Sequence, residues 1–237
     1  MPQARPGGRH LLRSRRLAEA IVADAGIAAG DLVVEIGAGS GMLTAPLLAA
    51  GASVLALEPD PRLAARLRRA CPAAEVVAAD ALYYRWPETP FRVVANLPFA
   101  HAAEICRTLL GDPQLPLRAA DLIVEWDFAA KRARLWPSTA QTVVWSAWYE
   151  LAVVRRLEPA AFVPVPSVAA GVLRARRRER PLVHPADAVQ YERFVRAGFR
   201  GPRARERDPH AWALEWKKEP SGRARTVTRM TRRREAR

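Results

Sequence analysis

The sequence predicts an α/β protein with a doubly wound, mostly parallel sheet. Two observations predict it. Short apolar runs alternate with stretches of helical spacing from residue 14 to about residue 180, the rhythm of βαβ units. Several of those runs also end in a glycine, an acid or an amide, and ligands of such sheets gather at the carboxyl ends of the strands.

The elements follow in order. SRRLAEAIVADAG reads as a helix with Ser14 as N-cap and Gly26 as its stop. DLVVEIG is a buried strand ending in glycine, and GMLTAPLLAAG is helical with Pro46 in its first turn. SVLALE is the second strand. DPRLAARLRRA opens a helix with Asp60 as N-cap and Pro61 at the first helical position. EVVAAD, FRVVAN and DLIVEW are further strands, separated by helices such as HAAEICRTLLG. After residue 180 the rhythm breaks. HPADAVQYERFVRAGF forms one helix, and from Gly201 the chain is Arg-rich, with few apolar residues until a short Trp-bearing patch, and is expected to be flexible.

Bulk properties narrow the function classes. The 237 residues, half of them hydrophobic, suit one large domain or one domain with a small appendage. There is no apolar run long enough to span a bilayer and no signal-peptide core, so a cytoplasmic protein is expected. Cys71 and Cys106 cannot build a disulfide framework or a zinc site. The net charge of +14 is uneven. Residues 1–16 carry five Arg and no acid, residues 17–173 are net −3, and residues 174–237 are net +12. Basic ends on a near-neutral body suit a polyanion, because each neutralised phosphate releases counterions.

Each strand end carries candidate chemistry. VVEIGAGSGML places Glu35, Gly37, Gly39 and Gly41 at the first strand-to-helix turn, where glycines let a ligand approach the backbone. Met42 stands where a G-x-G-x-x-G dinucleotide fingerprint needs its third glycine, which disfavours an NAD-dependent oxidoreductase. The loop resembles the first motif of S-adenosylmethionine-dependent methyltransferases. Glu58 ends the second strand and can take two ribose hydroxyls; Asp80-Ala81 ends the third and can accept from an adenine amino group. Asn96-Leu97-Pro98-Phe99 closes the fourth. An exocyclic amine on adenine is a poor nucleophile that needs acceptors for its hydrogens rather than a strong base. The Asn96 amide oxygen with the Leu97 or Pro98 carbonyl fits that need, Pro98 adds rigidity and Phe99 a face for stacking.

GRHLL, EIGAGSG, ALEPD, AADAL, NLPF and FVPVPSV stand in the order and spacing of the ribosomal RNA adenine N6-methyltransferases. EWDFAAKRA and the FxPxPxV stretch resemble the erythromycin-resistance (Erm) branch more than the KsgA branch. The resemblance covers about residues 5–180. It implies a seven-stranded Rossmann-like class I methyltransferase sheet over residues 1–180, with a reduced helical, Arg-rich extension over residues 181–237. It implies methyl transfer from S-adenosylmethionine to one adenine of 23S rRNA, conferring macrolide, lincosamide and streptogramin B resistance. The alternatives are a KsgA-type small-subunit dimethyltransferase and a non-catalytic RNA-binding protein on this fold. The expected substrate is 23S rRNA before full 50S assembly, acted on by a monomer that needs no metal and no membrane.

The same resemblance assigns residues. His10, Gly37, Gly39, Glu58, Asp80 and Asn96 match cofactor-site positions, with Leu12, Glu35, Ala38, Pro59 and Ala81 beside them. Asn96, Leu97 and Pro98 match the positions that face the amine, and Phe99 and Phe162 match aromatic residues that hold the target base. Lys131 matches a basic residue near RNA, and Arg9, Arg13, Arg132, Arg134, Arg176 and Arg177 are the further expected RNA contacts. Arg174 and Arg178 extend the last two into a candidate phosphate rail. Three departures stand out: Arg9 and Leu11 replace the usual Gln and Phe of the first motif, and Ala169-Ala170 replaces Asp-Ser after FxPxPxV. His101, His184 and His210 are expected to be ordinary polar or capping residues. Trp145 and Trp148 are expected in the core, with Trp212 and Trp216 packing the tail.

Overall fold

The structure, a computed structural model, describes residues 10–201 and 204–219. The chain divides into two compact units: Met1–Ala133 with Glu150–Arg177, and Arg134–Tyr149 with Arg178–Arg237. The second unit is therefore more than the extension expected after residue 180, because it takes in residues 134–149.

The first unit is built on a seven-stranded sheet. Its strands are β2 (Leu32–Ile36), β3 (Ser53–Leu57), β4 (Glu75–Val77), β5 (Phe91–Asn96), β6 (Leu117–Glu125), β7 (Tyr149–Leu157) and β9 (Ala170–Arg177), ordered β4-β3-β2-β5-β6-β9-β7. The pairs β2–β3, β2–β5, β3–β4 and β5–β6 are parallel, and β6–β9 is antiparallel. The expected α/β, mostly parallel sheet is present. Because β2 lies between β3 and β5, strand order reverses at β2, which opens a crevice at its carboxyl end. The inner strands are apolar on both faces, as parallel strands covered by helices must be. Val33, Val34 and Val93 are fully buried.

The predicted caps are in place. Ser14 Oγ accepts from Leu17 N–H and opens α1 (Arg15–Ala25), which ends at Gly26 in the left-handed region, φ 62°. Asp60 Oδ1 accepts from Arg62 and Leu63 N–H and opens α3 (Pro61–Ala70). α2 (Thr44–Ala49) follows the glycine loop, α4 (Ala102–Leu110) follows Phe99, and α5 (Trp126–Arg132) follows β6. EVVAAD yields only the three-residue β4, because Ala79 N–H turns back to the Val77 carbonyl.

A two-stranded ribbon completes the unit. β1 (Leu11–Leu12) pairs antiparallel with β8 (Phe162–Val163), in the register Leu12↔Phe162 and Leu11↔Val163. Alternation puts Leu12 and Phe162 on one face, buried in the core, and Leu11 and Val163 on the other, exposed.

In the second unit, α6 (Ala140–Ser146), α7 (Ala188–Gly198) and α8 (Pro209–Trp216) pack through rings. Tyr191 meets Trp148 and Trp216 edge-on, each at 5.9 Å, and Trp148 Nε1–H donates to the Val183 carbonyl. Gly198 is a close-approach position: a Cβ there would stand 2.9 Å from the Trp212 ring. The expected flexibility after Gly201 is corrected for residues 204–219. Asp208 caps α8, and Trp212, Ala213 and Trp216 bury one side of it. Residues 220–237 lie outside the described residues.

Candidate active site

A cavity of about 540 Å³ opens in the first unit at the carboxyl ends of β2, β3, β4 and β5. Gly37, Gly39, Glu58, Pro59, Asp80, Ala81, Asn96, Leu97, Pro98 and His10 all line it. Fragments scattered over residues 10–98 are thus brought to one concave surface.

One wall is built by the glycine loop. Gly37, Gly39 and Gly41 adopt φ 69°, 56° and 86°, a region side chains disfavour. A Cβ on Gly41 would also stand 2.8 Å from Leu67 Cδ1. The Gly37 and Ala38 N–H groups donate to the Leu57 carbonyl, tying the loop to the end of β3. Gly39 N–H donates to Glu58 Oε2 at 2.9 Å, and Asp60 N–H donates to Glu58 Oε1 at 2.9 Å. Glu58 is almost fully buried yet still faces the cavity. Two bonds do not exhaust the acceptor sites of a carboxylate. Asp80, at the β4 side, is exposed, and its Oδ1 accepts from Leu82 N–H.

Three of the expected cofactor residues bring no side chain to the cavity. Glu35 does not line the cavity. It lies behind the loop, accepts from Thr44 Oγ1 at 2.5 Å, and burial, with repulsion from Glu58, pushes its pKa up to about 8 despite the Thr44 bond. Ala38 points into the core, and Leu12 is core as well, so that Leu11 takes the cavity position. Leu63, Leu82, His101 and Ile105 also line the cavity, unforeseen in the sequence. Leu63, Leu82 and His101 stand within five residues past Glu58, Asp80 and Asn96, a spacing that could have found them, whereas Ile105 reaches the cavity from within α4.

The opposite wall is the end of β5. Asn96 Nδ2–H donates to the His10 carbonyl at 2.7 Å, which fixes the amide. Asn96 Oδ1 is buried and has no hydrogen-bond partner among the described residues. Leu97 N–H donates to the Ile123 carbonyl. Pro98 and Phe99 carbonyls accept from His101 and Ala102 N–H, in the turn that starts α4. The Leu97 carbonyl is the one this turn does not use. His10 Nδ1–H donates to the Pro164 carbonyl at 2.8 Å, leaving Nε2 as the acceptor nitrogen. The Phe99 ring lies 5.3 Å from His10 and 6.4 Å, edge-on, from Phe162. Phe162 is fully buried, so it backs Phe99 rather than presenting a face of its own, which corrects its assignment as a stacking surface.

The basic residues divide. Arg13, Lys131, Arg134 and Arg176 are exposed, and Arg9 lies outside the described residues. The expected phosphate rail is corrected. Arg174 stands opposite Asp121 across β9 and β6 and pairs with it at 2.6 Å, and Asp121 is 2% exposed. Arg177 donates to the Leu117, Pro113 and Leu115 carbonyls. Arg178 donates to the Ser146 carbonyl inside the second unit. Arg132 folds over the Phe128 ring at 4.2 Å, and burial lowers its pKa. Only Arg176 of the rail faces solvent. Among the described residues, no group of His, Cys, Asp and Glu is arranged to hold a metal ion, and no helix is long and apolar enough to cross a membrane.

Known proteins resemble this chain in sequence and fold. The chain is 39% identical over 171 residues to the mycinamicin-resistance protein MyrB of Micromonospora griseorubida, covering 72% of this chain and 54% of that protein. It is 36% identical over 169 residues to an rRNA adenine N-6-methyltransferase of Corynebacterium diphtheriae, covering 70% and 66%. It spans less than two thirds of the length of either. The crystal structure of the 23S rRNA methyltransferase ErmE superposes with a TM-score of 0.72 at 30% identity, covering 86% of this chain and 84% of that one. Residues 5–205 match the family model of ribosomal RNA adenine dimethylases, and the chain belongs to that family.

Proposed function

We propose that the protein transfers a methyl group from S-adenosylmethionine to the N6 amino group of one adenine in 23S rRNA, and so confers resistance to macrolides, lincosamides and streptogramin B. The names of its relatives support the reaction class. The observation that carries it is the buried Oδ1 of Asn96, without a hydrogen-bond partner among the described residues, on a residue that lines the cavity. A buried acceptor without a donor costs about 1–3 kcal/mol, and an adenine amine supplies the donor.

The residues fit the cofactor. Positive-φ glycines leave the backbone open at Gly37 and Gly39, and Glu58 and Asp80 offer carboxylates for ribose hydroxyls and an adenine amine. The cofactor supplies an electrophilic methyl on a sulfonium. The protein's task is alignment. Asn96 Oδ1 and the Leu97 carbonyl accept the two N6 hydrogens, which turns the nitrogen lone pair out of conjugation with the ring. Pro98 holds this turn rigid and Phe99 offers the base a face. No strong base is needed before transfer, because the amine becomes acidic as the new bond forms and the sulfonium bond to the methyl breaks, and the surplus proton then passes to solvent.

The substrate is naked 23S rRNA, ahead of 50S assembly, and the protein acts as a cytoplasmic monomer. Primer extension on rRNA from cells expressing it tests this. A stop at a single adenine of 23S rRNA is expected. Stops in 16S rRNA alone would assign it to the KsgA type; a single N6-methyl group still pairs and gives no stop, so methyl transfer is rejected if no radiolabelled methyl from S-adenosylmethionine enters either RNA.

A further inference from the structure

The ribbon of β1 and β8 has an exposed outer face that the alignment of the amine by Asn96 and Leu97 does not use. Leu11 and Val163 are cross-strand partners on that face, 44% and 47% exposed, and both reach the cavity mouth. Val165 and Val168 continue the same segment at 56% and 45% exposure. Two exposed aliphatic side chains paired across strands at a cavity, with two more exposed valines within five residues in the chain, point to a contact surface.

This surface is held firmly. Its reverse face, Leu12 and Phe162, is buried in the core. His10 Nδ1–H to the Pro164 carbonyl, Arg13 N–H to the Ala161 carbonyl and Asn96 Nδ2–H to the His10 carbonyl pin both strands. Pro164 and Pro166 flank Val165, and Pro166 is buried, so the backbone there has little freedom. The third of those bonds comes from the residue that carries the reaction, which fixes the ribbon relative to Asn96.

We propose that this ribbon is an apolar wedge for the RNA base step next to the target adenine. An adenine that enters the cavity leaves its neighbours without a stacking partner, at a cost of a few kcal/mol. Aliphatic side chains inserted at a base step offset that cost in other nucleic-acid complexes. Leu11 and Val163 stand at the cavity mouth, where the neighbouring bases must lie if the amine reaches Asn96. Exposed Arg13, next in the chain after Leu12, suits the adjoining phosphate. A protein partner or a lipid would need no alignment with the cavity. The proposal rests on the methyl-transfer reading for the identity of the RNA and for the entry of the target adenine into the cavity.

The experiment uses the full chain and two RNA hairpins, one with the target adenine paired in a stem and one with it opposite an abasic site. A third hairpin carries 2-aminopurine at the target, which lacks the 6-amino group and reports unstacking by fluorescence. In Leu11→Ser/Val163→Ser, methylation of the paired adenine should fall about tenfold more than methylation of the abasic-opposed one, the size expected when part of the unstacking cost is no longer offset. The 2-aminopurine rise should be lost with it. Val165→Ser should reduce both signals in the same sense, and Val163→Ile should keep them. Equal slowing on both hairpins with the fluorescence rise retained would overturn the wedge. So would a concentration-dependent dimer that the double variant abolishes while 2-aminopurine stays stacked with wild type. A wild type that unstacks 2-aminopurine through these residues but transfers no methyl group would leave the wedge standing and reject the catalytic reading.

Discussion

The two walls of the cavity differ in how complete they are. The glycine-loop wall is hydrogen-bonded to itself: Glu58 already takes Gly39 and Asp60 N–H, and the loop hangs from the Leu57 carbonyl. The β5 wall is built but unfinished, with Asn96 fixed through Nδ2 while Oδ1 has no donor. A self-satisfied wall is stable without a ligand and is suited to binding. An unsatisfied one is costly in the free protein, and if it accepts the amine hydrogens as proposed, its bond strengthens as the nitrogen gains positive charge, which favours the transition state over the bound substrate. The first wall should therefore govern affinity and the second turnover.

Asn96→Ala tests this with the largest expected effect. Turnover at saturating cofactor should fall about a hundredfold, about 2.7 kcal/mol of transition-state stabilisation, while calorimetry finds cofactor affinity nearly unchanged. A matched loss of affinity with normal turnover would erase the distinction between the walls. Glu58→Ala should do the reverse. Its cofactor dissociation constant should rise about ten- to a hundredfold, the loss of charged hydrogen bonds worth about 1.5–3 kcal/mol, and RNA affinity should not move. The variant should also melt earlier, since Gly39 and Asp60 N–H lose their acceptor.

Removing residues 220–237 should touch neither wall. That segment holds seven arginines and one glutamate, and α8 with its buried Trp212 and Trp216 ends before it. The log–log salt slope of RNA binding should flatten by about 2–4, with a higher Michaelis constant for RNA and unchanged cofactor affinity. Equal slopes for both forms would show that the segment contributes only solubility.

The smallest effect concerns Glu35, behind the self-satisfied wall. Its pKa rises from 4.5 to about 8 on folding, chiefly through burial. A group raised on folding contributes stability that is present below its unfolded pKa and lost as pH rises through the folded one. Wild type should therefore lose stability between pH 4.5 and about 8 relative to Glu35→Gln, whose amide stays neutral and can still accept from Thr44. Parallel denaturation midpoints for the two proteins across that window would show that Glu35 is not held protonated.

Much of this was legible in the sequence. Helix caps are local, so Ser14, Gly26 and Asp60 could be read from three or four neighbouring residues. The acids and amide at strand ends were legible because a parallel sheet presents every strand end on one side. The arginines were not. Arg174 and Arg177 reach groups more than fifty residues away, and composition cannot say whether a guanidinium meets solvent or a carbonyl.

The sequence alone determined the alternation of strand and helix, the glycine loop and the Asn96 turn, because these depend on periodicity and on backbone preferences of nearby residues. Tertiary structure decided the rest. It put Glu35 behind the loop and Glu58 in the cavity, although both are acids next to a strand end. It turned Leu12 inward and Leu11 outward, and it folded residues 204–219 around Trp212 and Trp216. Such choices depend on which side chains meet across the fold, where burial and hydrogen-bond partners are set by segments far apart in the chain.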